Sequence, residues 1–120
     1  MIQQFDISGV HVHVDDDLRK YVTKKIGRLD RFMPRHSRTS VHGEVKLKGA
    51  KAKDKKECTC EVILHLPHET ITTKESTINM YAAVDIVETK LRIQLKKYKD
   101  LHANPRLHRR LIMRFQREAA

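Results

Sequence analysis

The 120-residue chain is long enough for one domain with a modest two-layer core. Its 25 lysines and arginines outnumber its 15 acidic residues, which gives a formal net charge of +10 and indicates a polyanionic partner: RNA, DNA or an acidic membrane surface. No stretch approaches the roughly 18 apolar residues of a membrane span, and we expect no secretory signal, because the first residues lack a basic segment followed by an apolar one.

The first part of the chain predicts a strand followed by a helix. Residues 3–8 form the strand, and Asp15 is a suitable N-cap for a helix over about 16–32 that ends before Pro34. The inward face of this helix consists of Leu18, Val22, Ile26, Leu29 and Phe32. A second face at the same spacing is basic and includes Lys20, Lys24, Arg28 and Arg31, with Lys25 beside it.

The middle of the chain predicts three strands. Residues 41–48 alternate between apolar and polar side chains, as in a half-buried strand. GAKAKDKK, residues 49–56, is expected to be a charged loop. The next strand has Cys58, Cys60, Val62, Leu64 and Leu66 on its inward face. A turn at Pro67-His68 leads to a β-branched strand over residues 69–75.

The stretch Thr77–Asp100 predicts a long amphipathic helix with Thr77 as its N-cap. Its apolar face consists of Met80, Val84, Val87, Leu91, Leu95 and Tyr98. Acidic residues lie early in this helix, and its second half carries Lys90, Arg92, Lys96, Lys97 and Lys99. Helix-dipole effects favour cations near the carboxyl end, but this number of them indicates a surface that meets an anion.

The element order β-α-β-β-β-α predicts an α+β fold with a four-stranded mixed sheet and two parallel helices on one face. Strands two to four form an antiparallel meander, and a right-handed crossover makes strand one parallel to strand two. The basic carboxyl-terminal halves of both helices then lie at the same end. We therefore expect Lys24, Lys25, Arg28, Arg31, Lys90, Lys96, Lys97 and Lys99 to form one patch.

Three segments resemble the ribosome hibernation promoting factor / ribosome-associated inhibitor A family in its short form. NMYAAVD, residues 79–85, is similar to the family's D-M-Y-A-A-I-D, and KLRIQLKKYK, residues 90–99, to K-L-x-R-Q-L-x-K-x-K. YVTKKIGRLDRF, residues 21–32, resembles its first helix. The similarity covers roughly residues 1–100. The chain departs from the family at Ile93, where arginine is usual, at Arg92, where an acid is common, and at Asn79.

This resemblance implies a function in translation. Such proteins bind the small ribosomal subunit in the channel used by messenger and transfer RNA, and silence translation in stress or stationary phase. It implies that Lys25, Arg28, Arg31, Lys90 and Lys97 contact ribosomal RNA. We also expect the chain to lack the extra C-terminal domain through which long family members pair ribosomes.

Other readings of the sequence are a zinc site, a ribonuclease and a general RNA-binding module. Cys58, Cys60, His65 and His68 could be four zinc ligands, but strand alternation puts both cysteines inward and His65 outward. Histidines could serve general acid–base cleavage of RNA, although His11 and His13 lie on a strand-like segment without an evident partner. The element order is also close to that of double-stranded RNA-binding modules.

The segment after residue 102 predicts a separate basic tail. Asn104 and Pro105 suit a helix start. Leu107, Leu111 and Phe115 share one helical face, and the tail's candidate RNA or ribosome contacts are Arg106, Arg109, Arg110 and Arg114. The tail is either a basic amphipathic helix or a segment that becomes one when bound. A membrane surface is a possible target, but an RNA target agrees with the rest of the chain.

The sequence thus predicts a ribosome-binding α+β domain over residues 1–101 and a basic tail over 102–120. The predicted RNA-binding residues of the domain are Lys24, Lys25, Arg28, Arg31, Lys90, Arg92, Lys96, Lys97 and Lys99. The expected partners are ribosomal RNA and the small subunit, with no membrane and no small-molecule substrate. We expect no cofactor, no metal and no enzymatic activity, a monomer off the ribosome, and a reducing cytoplasm, since two cysteines so close together do not form a disulfide framework.

Overall fold

The computed structural model describes residues 1–52 and 55–102. Its elements in chain order are β1 (Gln4–Val10), α1 (Asp16–Gly27), a 3-10 helix (Arg28–Phe32), α2 (Arg35–Arg38), β2 (His42–Ala52), β3 (Lys55–His65), β4 (Thr70–Thr77) and α3 (Met80–His102). The predicted tail contacts Arg106, Arg109, Arg110 and Arg114 lie outside the described residues. Within the described part of the chain, no helix is long and apolar enough to cross a membrane.

The four strands form one sheet in the order β1-β2-β3-β4. β1 pairs with β2 in parallel, whereas β2 with β3 and β3 with β4 are antiparallel. The predicted α+β class, mixed sheet and meander are therefore confirmed. β1 and β4 are the edge strands.

Both long helices contribute their predicted apolar faces to a single core. From α1 and the 3-10 helix, Leu18, Val22, Ile26 and Leu29 are buried. From α3, Met80, Val84, Val87, Leu91, Leu95 and Tyr98 are buried, and the sheet contributes Val45, Leu47, Cys58, Cys60, Val62, Leu64 and Ile71. Phe32 was expected to face inward with them, but its side chain is only half-buried against the core.

The helices are parallel, as their contacts show. Tyr21 of α1 packs edge-to-face against Tyr81 in the first turn of α3, with ring centroids 4.9 Å apart. Eleven residues later in the chain, Phe32 lies beneath Lys96, whose Nζ is 5.9 Å from the ring centroid. Because the contact positions advance together along both helices, α1 and α3 run in the same direction.

Two helix boundaries differ from the prediction. Asp15 is the N-cap of α1 as expected, since its carboxylate accepts the Leu18 N–H at 2.8 Å. However, α1 ends at Gly27, a poor helix former, and the chain continues to Phe32 as a 3-10 helix. The N-cap of α3 is Asn79 and not Thr77: the Asn79 side-chain oxygen accepts the Tyr81 N–H at 2.9 Å, and its carbonyl accepts the first helical hydrogen bond, from Ala83.

The expected loop over residues 49–56 is largely strand. β2 and β3 stay paired from His42↔His65 out to Ala52↔Lys55. Gly49, the first residue of the expected loop, lies under the segment that leaves β1: a Cβ there would be 2.8 Å from the His11 carbonyl oxygen. Its lack of a side chain therefore permits a close crossing of the chain. His11 itself has a φ of 55°.

Candidate nucleic-acid interface

A groove between α1 with the 3-10 helix on one side and α3 on the other gathers most of the predicted cations. It has a volume of about 140 Å³ and is lined by Lys24, Lys25, Arg28, Leu29, Arg31, Phe32, Glu88 and Arg92. Lys96 reaches the same place from the next turn of α3. Six of the nine predicted residues of the domain therefore share one surface.

Phe32 forms the centre of this surface. The guanidinium carbons of Arg31 and Arg92 lie 5.1 and 5.6 Å from its ring centroid, and Lys96 approaches the same ring. Cations are attracted to an aromatic ring at such distances. The half-buried ring thus holds three cations from two helices in one place, a role that its assignment to the core had missed. The sequence did contain a signal for this role: Lys20, Lys24 and Arg28 repeat every four residues, and Phe32 is the next position in that series.

Two carboxylates of α3 partly balance the groove. Glu88 is 7% exposed and pairs with Arg92 one turn later. Asp85 lies 3.7 Å from the Lys25 ammonium and accepts a hydrogen bond from the Tyr21 hydroxyl. This hydrogen bond to a carboxylate is the main cause that raises the pKa of Tyr21 to about 12, with burial as the second cause. Tyr21 therefore remains a protonated donor at neutral pH.

The other groove cations have no such balance. Across the part of the chain that the structure describes, Lys24, Arg28, Arg31 and Lys96 form no ion pair. The first three are exposed residues of one continuous helical segment, and Lys96 is exposed on α3. Uncompensated, exposed cations in a shared groove can take up phosphate groups without first breaking an internal ion pair.

Not all predicted residues lie in this groove. Lys90 and Lys97 lie about 200° and 140° around α3 from Arg92. Lys90 pairs with Glu75 of β4, and Lys97 lines a second depression beside β4, together with Thr70, Ile71, Gln94 and Leu101. The single patch expected from topology is therefore divided between two flanks of α3. Lys99 is exposed and falls within about 20° of Arg92, on the groove side.

Both cysteines and two histidines of β2 and β3 belong to the sheet and not to the groove. His42 and His65 are on the outer face of the sheet, where each ring nitrogen is 2.8–2.9 Å from a carboxylate oxygen, of Asp6 and Glu44 respectively. The hydrogen bond from His65 lowers the pKa of Glu44. Cys58 and Cys60 are buried on the opposite, helix-facing side, and burial raises the pKa of Cys60 to about 12. Over residues 1–52 and 55–102, no three His, Cys, Asp or Glu side chains are placed to hold a metal ion.

Comparison with protein families places most of the chain in one of them. The family model described as "Sigma 54 modulation protein / S30EA ribosomal protein" matches residues 5–102. The chain is 33% identical over 96 residues to the ribosome hibernation promotion factor of Lactococcus lactis subsp. cremoris (strain MG1363), and 30% identical over 96 residues to that of Staphylococcus aureus (strain COL). These alignments cover 80% of this chain and 49% and 48% of the relatives. The chain therefore spans about half the length of these curated relatives.

Solved structures show the same fold. The N-terminal domain of Protein Y from Thermus thermophilus aligns with a TM-score of 0.61 and 26% identity, over 82% of this chain and 99% of that one. A ribosomal subunit interface protein from Coxiella burnetii aligns with a TM-score of 0.64 and 26% identity, over 81% and 98%. All the residues that line the groove lie within residues 5–102, the range that the family model matches.

Proposed function

Because the chain belongs to the family of Sigma 54 modulation protein / S30EA ribosomal proteins, we propose that it binds the small ribosomal subunit through the groove between α1 and α3. Bound there, the domain occupies the channel used by messenger and transfer RNA and keeps the ribosome inactive. It acts in the cytoplasm, in stress or stationary phase, as a monomer before it binds. Its action is steric and requires no cofactor and no reaction of its own.

The observation that carries this proposal is the convergence of cations from separate elements. Arg28 and Arg31 come from the 3-10 helix and Arg92 from α3, about 60 residues later in the chain, yet they line one groove. Folding such like charges together costs energy in the free protein, and a polyanion offsets that cost. RNA is a polyanion whose phosphates lie at close intervals, and Arg presents a fork of donors that suits phosphate oxygens.

The remaining predicted contacts would extend the proposed surface beyond the groove. Lys99 extends the groove flank, whereas Lys90 and Lys97 would meet RNA that passes over the outer side of α3. Ile86 and Ile93 lie between the two flanks, 38% and 54% exposed. The basic tail, through Arg106, Arg109, Arg110 and Arg114, would add contacts from its own segment. We expect the groove to contribute more affinity than the β4 flank, because four of its six cations form no ion pair among the described residues, whereas Lys90 on the flank must first leave Glu75.

The proposal is tested by sedimentation of the purified chain with isolated small and large ribosomal subunits. We expect binding to the small subunit, and we expect messenger RNA with a bound transfer RNA to displace the chain in competition. Binding to the large subunit alone, or binding that these RNAs do not affect, would contradict the proposed location.

A parallel measurement with naked duplex RNA separates the main alternative. A general double-stranded RNA-binding module would bind the duplex as tightly as it binds the subunit at the same salt concentration. The proposed factor should bind the duplex only weakly and with the salt dependence of non-specific phosphate contacts. Cleavage of either RNA in metal-free buffer would point instead to a ribonuclease.

A further inference from the structure

The short helix α2 was not anticipated from the sequence, and it packs against α3. Ser37 is fully buried, and its hydroxyl lies 3.3 Å from the Tyr98 hydroxyl of α3. The Ser37 carbonyl also accepts the Val41 N–H at 3.0 Å, just before β2 begins. These contacts fix α2 between the carboxyl-terminal part of α3 and the start of β2.

Arg38 connects α2 to the groove itself. Its Nε donates to the Met33 carbonyl at 3.2 Å, and its Nη2 donates to the Arg31 carbonyl at 3.3 Å. The guanidinium thus bridges the end of the 3-10 helix and the residue after it. The side chains of Arg31 and Phe32 project from this bridged segment, and the guanidinium carbon of Arg31 lies 5.1 Å from the centroid of the Phe32 ring.

Arg35 lies on the same side of α2 as Arg38. Three residues correspond to about 300° around a helix, which leaves the two side chains about 60° apart. Since the guanidinium of Arg38 reaches the 3-10 helix, Arg35 lies within about 60° of the side of α2 that faces this helix. It is exposed, and within residues 1–52 and 55–102 it forms no ion pair.

We propose that α2 extends the RNA-binding groove, with Arg35 as a further phosphate contact and Arg38 as a positioning residue that holds Arg31 in place. The ligand is the phosphate backbone of the same RNA, so this inference rests on the proposed function. Arg38 acts through the backbone of residues 31–33, because its guanidinium donors point at the Arg31 and Met33 carbonyls. Arg35 has no such internal acceptor among the described residues and is available to the ligand.

The test measures affinity for isolated small ribosomal subunits over a range of salt concentrations. Arg35→Gln should weaken binding about five- to eightfold at 0.1 M salt and lower the salt slope by roughly 0.7 to 0.9, the effect of one lost phosphate contact. Lys74→Gln is the matched control, since Lys74 is exposed on the outer face of β4 and its loss changes the net charge equally. An Arg35→Gln variant that behaves like Lys74→Gln would overturn the role of Arg35.

A double-mutant cycle tests the positioning role of Arg38. If Arg38 acts through Arg31, then Arg31→Gln combined with Arg38→Gln should weaken binding no more than Arg31→Gln alone. Arg38→Lys should not restore affinity, because an ammonium cannot bridge the two carbonyls as the planar fork does. Losses that multiply, or full rescue by lysine, would overturn the positioning role. If the unaltered chain does not bind small subunits, the proposed function is wrong. If it binds and the Arg35 and Arg38 variants bind as tightly as the unaltered chain, only the inference about α2 is wrong.

Discussion

Replacing Leu91 with alanine tests the buried face of α3, on which the position of the groove depends. Leu91 is 0% exposed. The substitution removes three carbon atoms, worth about 2.4 kcal/mol in transfer free energy at roughly 0.8 kcal/mol each. The cavity left behind adds to this cost, so that the free energy of unfolding should fall by about 2–5 kcal/mol in total. For a domain of this size, such a loss lowers the melting temperature by roughly 8–20 °C.

Two controls lie on the same helix. Ile93→Ala also removes an apolar side chain, but from a residue that is 54% exposed. Lys97→Ala removes an exposed cation. Both should change the unfolding free energy by no more than about 0.5 kcal/mol. The assay is thermal unfolding followed by circular dichroism, with urea unfolding as a check. If Leu91→Ala and Ile93→Ala melt alike, the buried face of α3 is misassigned and the groove geometry falls with it.

Three further predictions concern local chemistry. Asp85→Asn should lower the pKa of Tyr21 from about 12 toward 10, because it removes the carboxylate that accepts the hydrogen bond of the phenol. The pKa is measured from the absorbance of tyrosinate during an alkaline titration, and an unchanged titration curve would contradict the hydrogen bond between Tyr21 and Asp85. Burial raises the pKa of Cys60 to about 12, so the contribution of this thiol to stability should be constant below about pH 9, its ordinary value, and should fall as the pH rises toward 12. The difference in unfolding free energy between the native chain and Cys60→Ala, measured in urea, should therefore shrink over that range, and a difference independent of pH would refute this. Gly49→Ala should lower the free energy of unfolding in urea by about 1–3 kcal/mol, since its Cβ would meet the His11 carbonyl oxygen at 2.8 Å. The control Gly27→Ala should be neutral or stabilising, since its Cβ would meet no atom closer than the Met1 side chain at 3.4 Å.

The periodicity of the sequence predicted the sheet and the two long helices because burial and periodicity are directly linked. Residues such as Leu91 and Leu95 repeat at helical spacing, and both are fully buried. Cys60 and Val62 alternate as a strand requires, and the structure buries both. Strand order and direction then followed from the limited ways in which such elements connect.

Short-range details were less predictable because several residues can satisfy the same local rule. Thr77 and Asn79 are both good N-caps, and only the backbone path decides that Asn79 starts α3. Gly49 and its lysine-rich neighbours have the composition of a loop, yet strand pairing and a close chain crossing account for them. The helix α2 has only four residues and therefore no detectable periodicity.

The sequence could not show how the cations divide between two surfaces, because this depends on the rotation of α3 about its axis. From the sequence, Lys90 and Lys96 belong to the same basic stretch. In the structure, Lys90 pairs with Glu75 beside the sheet, whereas Lys96 lies over Phe32 in the groove. The number of basic residues along a helix predicts a polyanionic partner. Which of those residues lie in the same groove is determined by the side of the helix that faces its neighbour.

The most direct test of the account compares two triple variants in their binding to isolated small ribosomal subunits across several salt concentrations. The groove variant carries Arg28→Gln, Arg92→Gln and Lys96→Gln. The control carries Lys46→Gln, Lys48→Gln and Lys74→Gln, three exposed lysines of the outer sheet face, and has the same net charge. Thermal unfolding of both variants establishes that each is folded before binding is measured.

If the groove is the RNA-binding surface, its triple variant should lose more than about 100-fold in affinity at 0.1 M salt, and its salt slope should fall by roughly two to three. The outer-face variant should stay close to the unaltered chain at each salt concentration. Equal losses in the two variants, or a groove variant that binds as tightly as the unaltered chain, would contradict the central claim.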